Sequence, residues 1–292
     1  MRWALGPSMK LEVRVSRPLT WLGPAWATLC GAVASGGLTF SGQNLLVLFV
    51  VLFLTNALWS TLWYLVAETS WVASSHQSLP GHAASLTILP YTVPGSPSHR
   101  FFGRVSRRLA WWRAVLWPRQ GSALLGLVVA LPLTLILAII LGRRVIILTI
   151  AALAIMVLAL LRARRHTVSP LSLRAILEKG LAWLAGHTSF APLTLWSFLL
   201  ATLYTIVYHG CLKLATNRGK RRLTLPKVSQ AAVIALLVFL RQPIMAGVVG
   251  LLLLPQMLLQ PFLAQGEVEL WYLRCTGPFL MAGMLLAALA VR

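Results

Sequence analysis

Apolar runs long enough to cross about 30 Å of hydrocarbon recur from one end of this chain to the other, and nothing else constrains its fold as strongly. In lipid every backbone N–H and C=O must be satisfied internally, so only helices or a closed barrel can span. A barrel would show short alternating strands, and the sequence has none. The clear spans are about 19–37, 44–67, 122–141, 145–162, 192–215 and 275–291. Residues 171–186 place Arg174, Glu178 and Lys179 before an apolar turn, as a helix entering from a charged surface does. Residues 228–262 are too long for one span, and Arg241-Gln242-Pro243 divides them into two helices. The expected fold is all-α: a polytopic transmembrane bundle of about nine helices, with eight or seven as alternatives, and 1–292 forming a single transmembrane domain.

Charge supports that count. The chain carries 26 Lys and Arg against 5 acids, a formal net charge of +21. With the N-terminus inside, the nine-helix topology puts 22 of the 26 basic residues on the inner side and 4 outside, as the positive-inside rule requires. The expectation is a multi-pass protein with a cytoplasmic N-terminus, in a bacterial inner membrane. The basic segment Arg2 to Arg17 lacks a small-residue cleavage site and is expected to be retained. Residues 68–120 are expected on the cytoplasmic side. They begin with a Pro-, Ser- and Gly-rich loop and end in an amphipathic helix over 100–119. There Phe101, Val105, Leu109, Trp112 and Leu116 share one face, while Arg100, Arg104, Arg107 and Arg108 share the other. Such a helix lies on an anionic lipid bilayer, the first expected partner. The arginines are spread over loops as topology demands, which argues against nucleic acid. Trp21, Trp63, Trp71, Trp111, Trp112, Trp117 and Trp271 fall near span ends and read as interface anchors. Ala27, Gly31 and Ser35 form a small-residue stripe suited to close helix packing.

All five acids are glutamates (Glu12, Glu68, Glu178, Glu267 and Glu269), and there is no aspartate. That removes the usual hard-metal ligand and the usual orienter of a catalytic histidine. Cys30, Cys211 and Cys275 have no CxxC spacing and read as free thiols, and the histidines carry no ligand spacing, so no metal site is expected. No GxSxG, Walker A or Rossmann glycine pattern occurs. A small transporter is a weaker alternative, because paired intramembrane charges and an internal repeat are missing. His187, at an outer turn, reads as structural. Arg174, Glu178 and Lys179 can satisfy one another as an ion group, or make a polar contact inside a cavity.

The order of features resembles the UbiA superfamily of nine-helix intramembrane prenyltransferases, which make quinones, haem precursors and chlorophylls. The likeness rests on Pro24-Ala25-Trp26-Ala27-Thr28-Leu29 with Gly36-Gly37, and on Gly180-Leu181-Ala182-Trp183. It continues with Pro192-Leu193-Thr194-Leu195-Trp196, Val207-Tyr208, and Trp271-Tyr272-Leu273-Arg274 with Pro278. Active members carry two aspartate-rich motifs whose carboxylates hold Mg²⁺ against a prenyl diphosphate. Here the first would fall within Asn56 to Ser70, where Glu68 is the only acid and Asn56 is the nearest echo of the motif's asparagine. The second would follow Tyr208 and end near Asn217, where His209 and Lys213 stand. One carboxylate is too few for Mg²⁺. What the resemblance then implies is a degenerate scaffold, a pseudoenzyme without a cofactor of its own. It would bind an isoprenoid lipid such as a quinone or pigment tail, or serve beside other membrane subunits of a respiratory or photosynthetic complex. The alternative is an active prenyltransferase with an atypical site. In either case Glu68, His209 and Lys213 are expected around one inner-leaflet cavity with Asn56, Tyr208 and Asn217, and an apolar tunnel is expected to run past Trp196.

Overall fold

Hydropathy sets where the helices lie, and the computed structural model follows it through residues 23–68, 96–165, 171–215, 224–264 and 269–292, the residues the structure describes. Nine continuous helices run through these residues. They are α1 (Pro24–Ala34), α2 (42–68), α3 (97–141), α4 (Arg143–Arg165) and α5 (171–188). Then come α6 (Leu195–Ala215), α7 (Thr224–Phe239), α8 (Pro243–Ala264) and α9 (Glu269–Val291). No strand occurs among the described residues. Six segments are long and apolar enough to cross a membrane, in α2, α3, α4, α6, α8 and α9. Helices α1 and α7 are apolar but shorter. The chain is an integral membrane protein built as a helical bundle.

The expected break in 228–262 is a tight turn. Arg241 adopts a left-handed conformation (φ 57°), and Pro243 opens α8 where its missing N–H costs nothing. The amphipathic segment is helical over Pro97–Trp111 and passes through a π-helical turn, Trp112–Leu116, straight into the span Trp117–Leu141. Phe101, Phe102, Val105, Leu109 and Trp112 are exposed on it, as are Arg104, Arg107 and Arg108. The loop expected at 68–99 is shorter at both ends, since Glu68 and residues 97–99 are helical, and 69–95 lie outside the described residues.

Helix α1 holds the bundle together. A Cβ added at Gly31 would land on the Trp183 carbonyl, and one added at Gly186 on the Thr28 carbonyl, so the α1 and α5 backbones touch. Only glycine permits that approach, which is how helices gain contact where lipid removes the hydrophobic drive. The small-residue stripe therefore faces α5. The Thr28 and Thr55 hydroxyls meet at 2.8 Å, joining α1 to α2, and the Trp26 indole donates to the Met281 carbonyl of α9 at 3.1 Å. Trp63 is core rather than an interface anchor: it is 2% exposed and packs one turn from the equally buried Trp59. Trp112, Trp117 and Trp271 are exposed, as anchors are, whereas Trp21 and Trp71 lie outside the described residues. The three cysteines are free thiols, with Cys30 and Cys211 buried.

Candidate functional site

Charges are expensive at membrane depth, so a buried cluster of them marks the first place to look. Helix α5 departs from regular geometry through a π-helical turn at Ile176–Leu181, and that turn carries Glu178 and Lys179. Such turns recur at functional sites because they re-aim side chains. Glu178 is 8% exposed and Lys179 2%. Arg174, one turn earlier, donates from Nε to Glu178 Oε1 at 2.8 Å. The buried Tyr208 hydroxyl of α6 donates to Glu178 Oε2 at 2.5 Å. Both carboxylate oxygens are thus engaged by charge-assisted or short hydrogen bonds. Lys179 turns the other way, donating from Nζ to the Gly23 carbonyl at 3.3 Å and lying 5.1 Å from the centre of the Tyr208 ring, within cation–π range. The cluster joins α5, α6 and the start of α1. The expected Arg174–Glu178 pair forms, but Lys179 is held by a carbonyl and a ring face instead of completing the ion group.

A second polar group lies at the opposite end of α5. The Pro192 carbonyl can only accept, so His187 Nε2 carries the proton it shares with that oxygen at 3.0 Å. Nδ1 then accepts from the Ser197 hydroxyl at 3.0 Å, and Ser197 accepts from the Trp183 indole at 2.9 Å. His187 is fully buried and its partners are protein groups, which is a structural role.

The residues singled out from the sequence fall as follows. Tyr208 is buried in the Glu178 cluster. His209 is half-buried, and its Nδ1 has no hydrogen-bond partner among the described residues. Lys213, one turn further, is exposed. Asn56 lies exposed on the π-helical turn Phe53–Trp59 of α2. Glu68 ends a second such turn, Tyr64–Glu68; its side chain lies outside the described residues, and so does Asn217. Trp196 is half-buried against Phe239, ring centres 5.8 Å apart. A cavity of about 30 Å³ opens between α6, α7, α8 and α9, and Trp196 does not line it. Three polar residues are absent from those singled out from the sequence: Gln230 and Gln256, which line that cavity, and Trp59, whose indole, like that of Trp63, is buried without an acceptor among the described residues. A glutamine inside an apolar span was a readable signal.

Among the described side chains, none supplies the ligand set for the Mg²⁺ that the family resemblance implies; the Glu68 and Asn217 side chains lie outside them. The ion needs near-octahedral oxygen ligation. Both Glu178 oxygens are committed to Arg174 and Tyr208, and no three His, Cys, Asp or Glu side chains converge among the described residues.

No family model matches the chain, and no solved structure matches it. Among curated proteins it is similar to the bacteriochlorophyll synthase 34 kDa chain of Chloroflexus aurantiacus, at 28% identity over 277 residues, covering 84% of this chain and 77% of that protein. Chlorophyll synthesis is among the activities of the family that the sequence resembles, so the similarity supports the UbiA resemblance across most of the chain.

Proposed function

We propose that this chain is a UbiA-like intramembrane protein that binds an isoprenoid lipid, a quinone or a pigment tail, without magnesium-dependent ionisation of a prenyl diphosphate. One observation carries the reading. The whole sequence lacks aspartate, and the one carboxylate whose side chain is described, Glu178, is spent on Arg174 and Tyr208. The similarity to a bacteriochlorophyll synthase chain supports the class of ligand, a molecule with a long isoprenoid tail. The site would lie where α2 and α6 approach the inner surface, with Glu68, His209 and Lys213 at its rim.

The same similarity favours a second reading, an active prenyltransferase working through an atypical site. One experiment separates the two. Protein purified in detergent is incubated with geranylgeranyl diphosphate, Mg²⁺ and a chlorophyllide or quinone-precursor acceptor, while mass spectrometry identifies the lipids and subunits that co-purify. Co-purifying isoprenoid lipid without turnover is the expected result. Turnover by the homogeneous chain would establish the second reading and overturn the first.

A further inference from the structure

The cavity between α6, α7, α8 and α9 contains an amide that the bundle leaves incomplete. Gln230 of α7 donates from Nε2 to Gln256 Oε1 of α8 at 2.8 Å, and the Tyr272 hydroxyl of α9 donates to the Gln256 backbone carbonyl at 3.2 Å. The first bond holds the Gln256 side chain and the second its backbone. Its own Nε2, fully buried, has no hydrogen-bond partner among the described residues, although the residue is 7% exposed and lines the cavity. A smaller cavity of about 10 Å³ shares Gln230, Gln256 and Leu280. A primary amide is a strong donor, and leaving it unmatched in a low-dielectric interior is costly. The cavity therefore calls for an acceptor oxygen.

Its surroundings narrow the choice. Lys227, half-buried, lines the same cavity and precedes Gln230 by three residues, so the two share a face of α7 about 5 Å apart along the axis. Lys227 ends the basic 218–227 run, and Gln230 and Gln256 lie one turn further along. Leu254, Met257 and Leu258 of α8 are exposed beside them, giving a lipid-facing apolar surface. A space of about 30 Å³ admits a carbonyl group or about two waters, and not a whole lipid. An anion-binding cation, a carbonyl-binding amide one turn further along and an apolar strip alongside match the phosphate, ester carbonyl and acyl chains of one molecule. A prenyl diphosphate offers no carbonyl to the amide, and a quinone offers no phosphate to the lysine. We infer that this cleft is a glycerophospholipid site in which Gln256 binds an ester carbonyl and Lys227 the phosphate, the acyl chains lying along α8. The inference is independent of what occupies the isoprenoid site.

The test uses the full chain in detergent, titrated with dioleoyl phosphatidylglycerol and with its diether analogue, and read by native mass spectrometry. The diester should bind about fivefold more tightly than the diether, the worth of one hydrogen bond. Gln256→Leu should bring that ratio to about one, and so should the Gln230→Leu, Gln256→Leu double variant, which leaves no amide stranded if the single variant fails to fold. Lys227→Gln should weaken both lipids alike and preserve the ratio. Equal affinity for diester and diether in the unaltered protein, as water alone in the cavity would produce, overturns the inference. So does a ratio that survives in a folded Gln256 variant.

Discussion

Ser197→Ala removes one oxygen that serves two buried groups at once. The hydroxyl gives its proton to His187 Nδ1 and takes one from the Trp183 indole, at 3.0 and 2.9 Å. His187 is 0% exposed and Trp183 1%, so water cannot step in without disturbing the helix packing. In aqueous proteins each stranded group costs about 1–3 kcal/mol. Between membrane helices, measured couplings average about 0.6 kcal/mol, because the unfolded reference also finds partners. Two such terms, with the stranding penalty added, place Ser197→Ala at about 2 kcal/mol. Thr188→Ala is the control, since that hydroxyl donates only within its own helix, to the Leu184 and Ala185 carbonyls, and its loss should cost less than about 0.5 kcal/mol. Trp183→Phe, made with and without Ser197→Ala, closes a double-mutant cycle in which the lost indole packing cancels. The assay is reversible unfolding in mixed micelles followed by circular dichroism. A coupling of about 0.6 kcal/mol or more is expected between positions 183 and 197. Additivity within about 0.3 kcal/mol, or a Ser197 variant as stable as the Thr188 variant, would refute the network.

Other consequences can be checked with similar means. Gly186→Ala should cost about 1–3 kcal/mol by forcing α1 from α5, whereas Gly247→Ala, with nothing within 4 Å of the new carbon, should cost nothing in the same unfolding experiment. Arg174→Met leaves the Glu178 carboxylate to the Tyr208 hydroxyl alone and should destabilise by about 1–3 kcal/mol; adding Glu178→Leu should recover most of that loss. A peptide spanning 97–119 should bind anionic vesicles and lose about tenfold in affinity between 0.05 and 0.5 M salt, because surface attraction is screened within about 10 Å. Salt-independent binding would show that insertion is purely hydrophobic. Reporter fusions at the N-terminus and within 218–227 should both read cytoplasmic; an outside signal from either would defeat the proposed topology.

The helix count was legible because it rests on hydropathy and on breakers: Pro243 after Arg241-Gln242 announces the α7–α8 turn without any knowledge of packing. The face of α1 turned toward α5 was legible for a different reason, since glycine size is the one signal that survives when core and lipid faces are equally apolar. What pairs with what was not legible. Glu178 and Lys179 are neighbours in sequence, yet Glu178 takes the Tyr208 hydroxyl while Lys179 lies over the Tyr208 ring and donates to the Gly23 carbonyl, and hydropathy carries no trace of the π-helical turn that holds them. Trp63 looked like an anchor because it lies near a span end; only its neighbours across α2 make it core. Gln230 and Gln256 are 26 residues apart and meet because the chain reverses between them.

The central position of α1 also bears on how the protein is made. Its Gly23 carbonyl awaits Lys179, which follows 156 residues later, and Trp26 awaits the Met281 carbonyl, 255 residues later. At about 5–20 residues per second, the first of those partners leaves the ribosome roughly 8–30 s after α1 does. During that interval α1 sits in the membrane beside α2 but without the close backbone contact to α5. Assembly of this bundle is therefore governed by its N-terminus waiting for its middle and its end. Truncation after α4 should accordingly yield a fragment that cellular proteases remove, while truncation after α6 should persist longer, because by then the glycine-lined contact has closed.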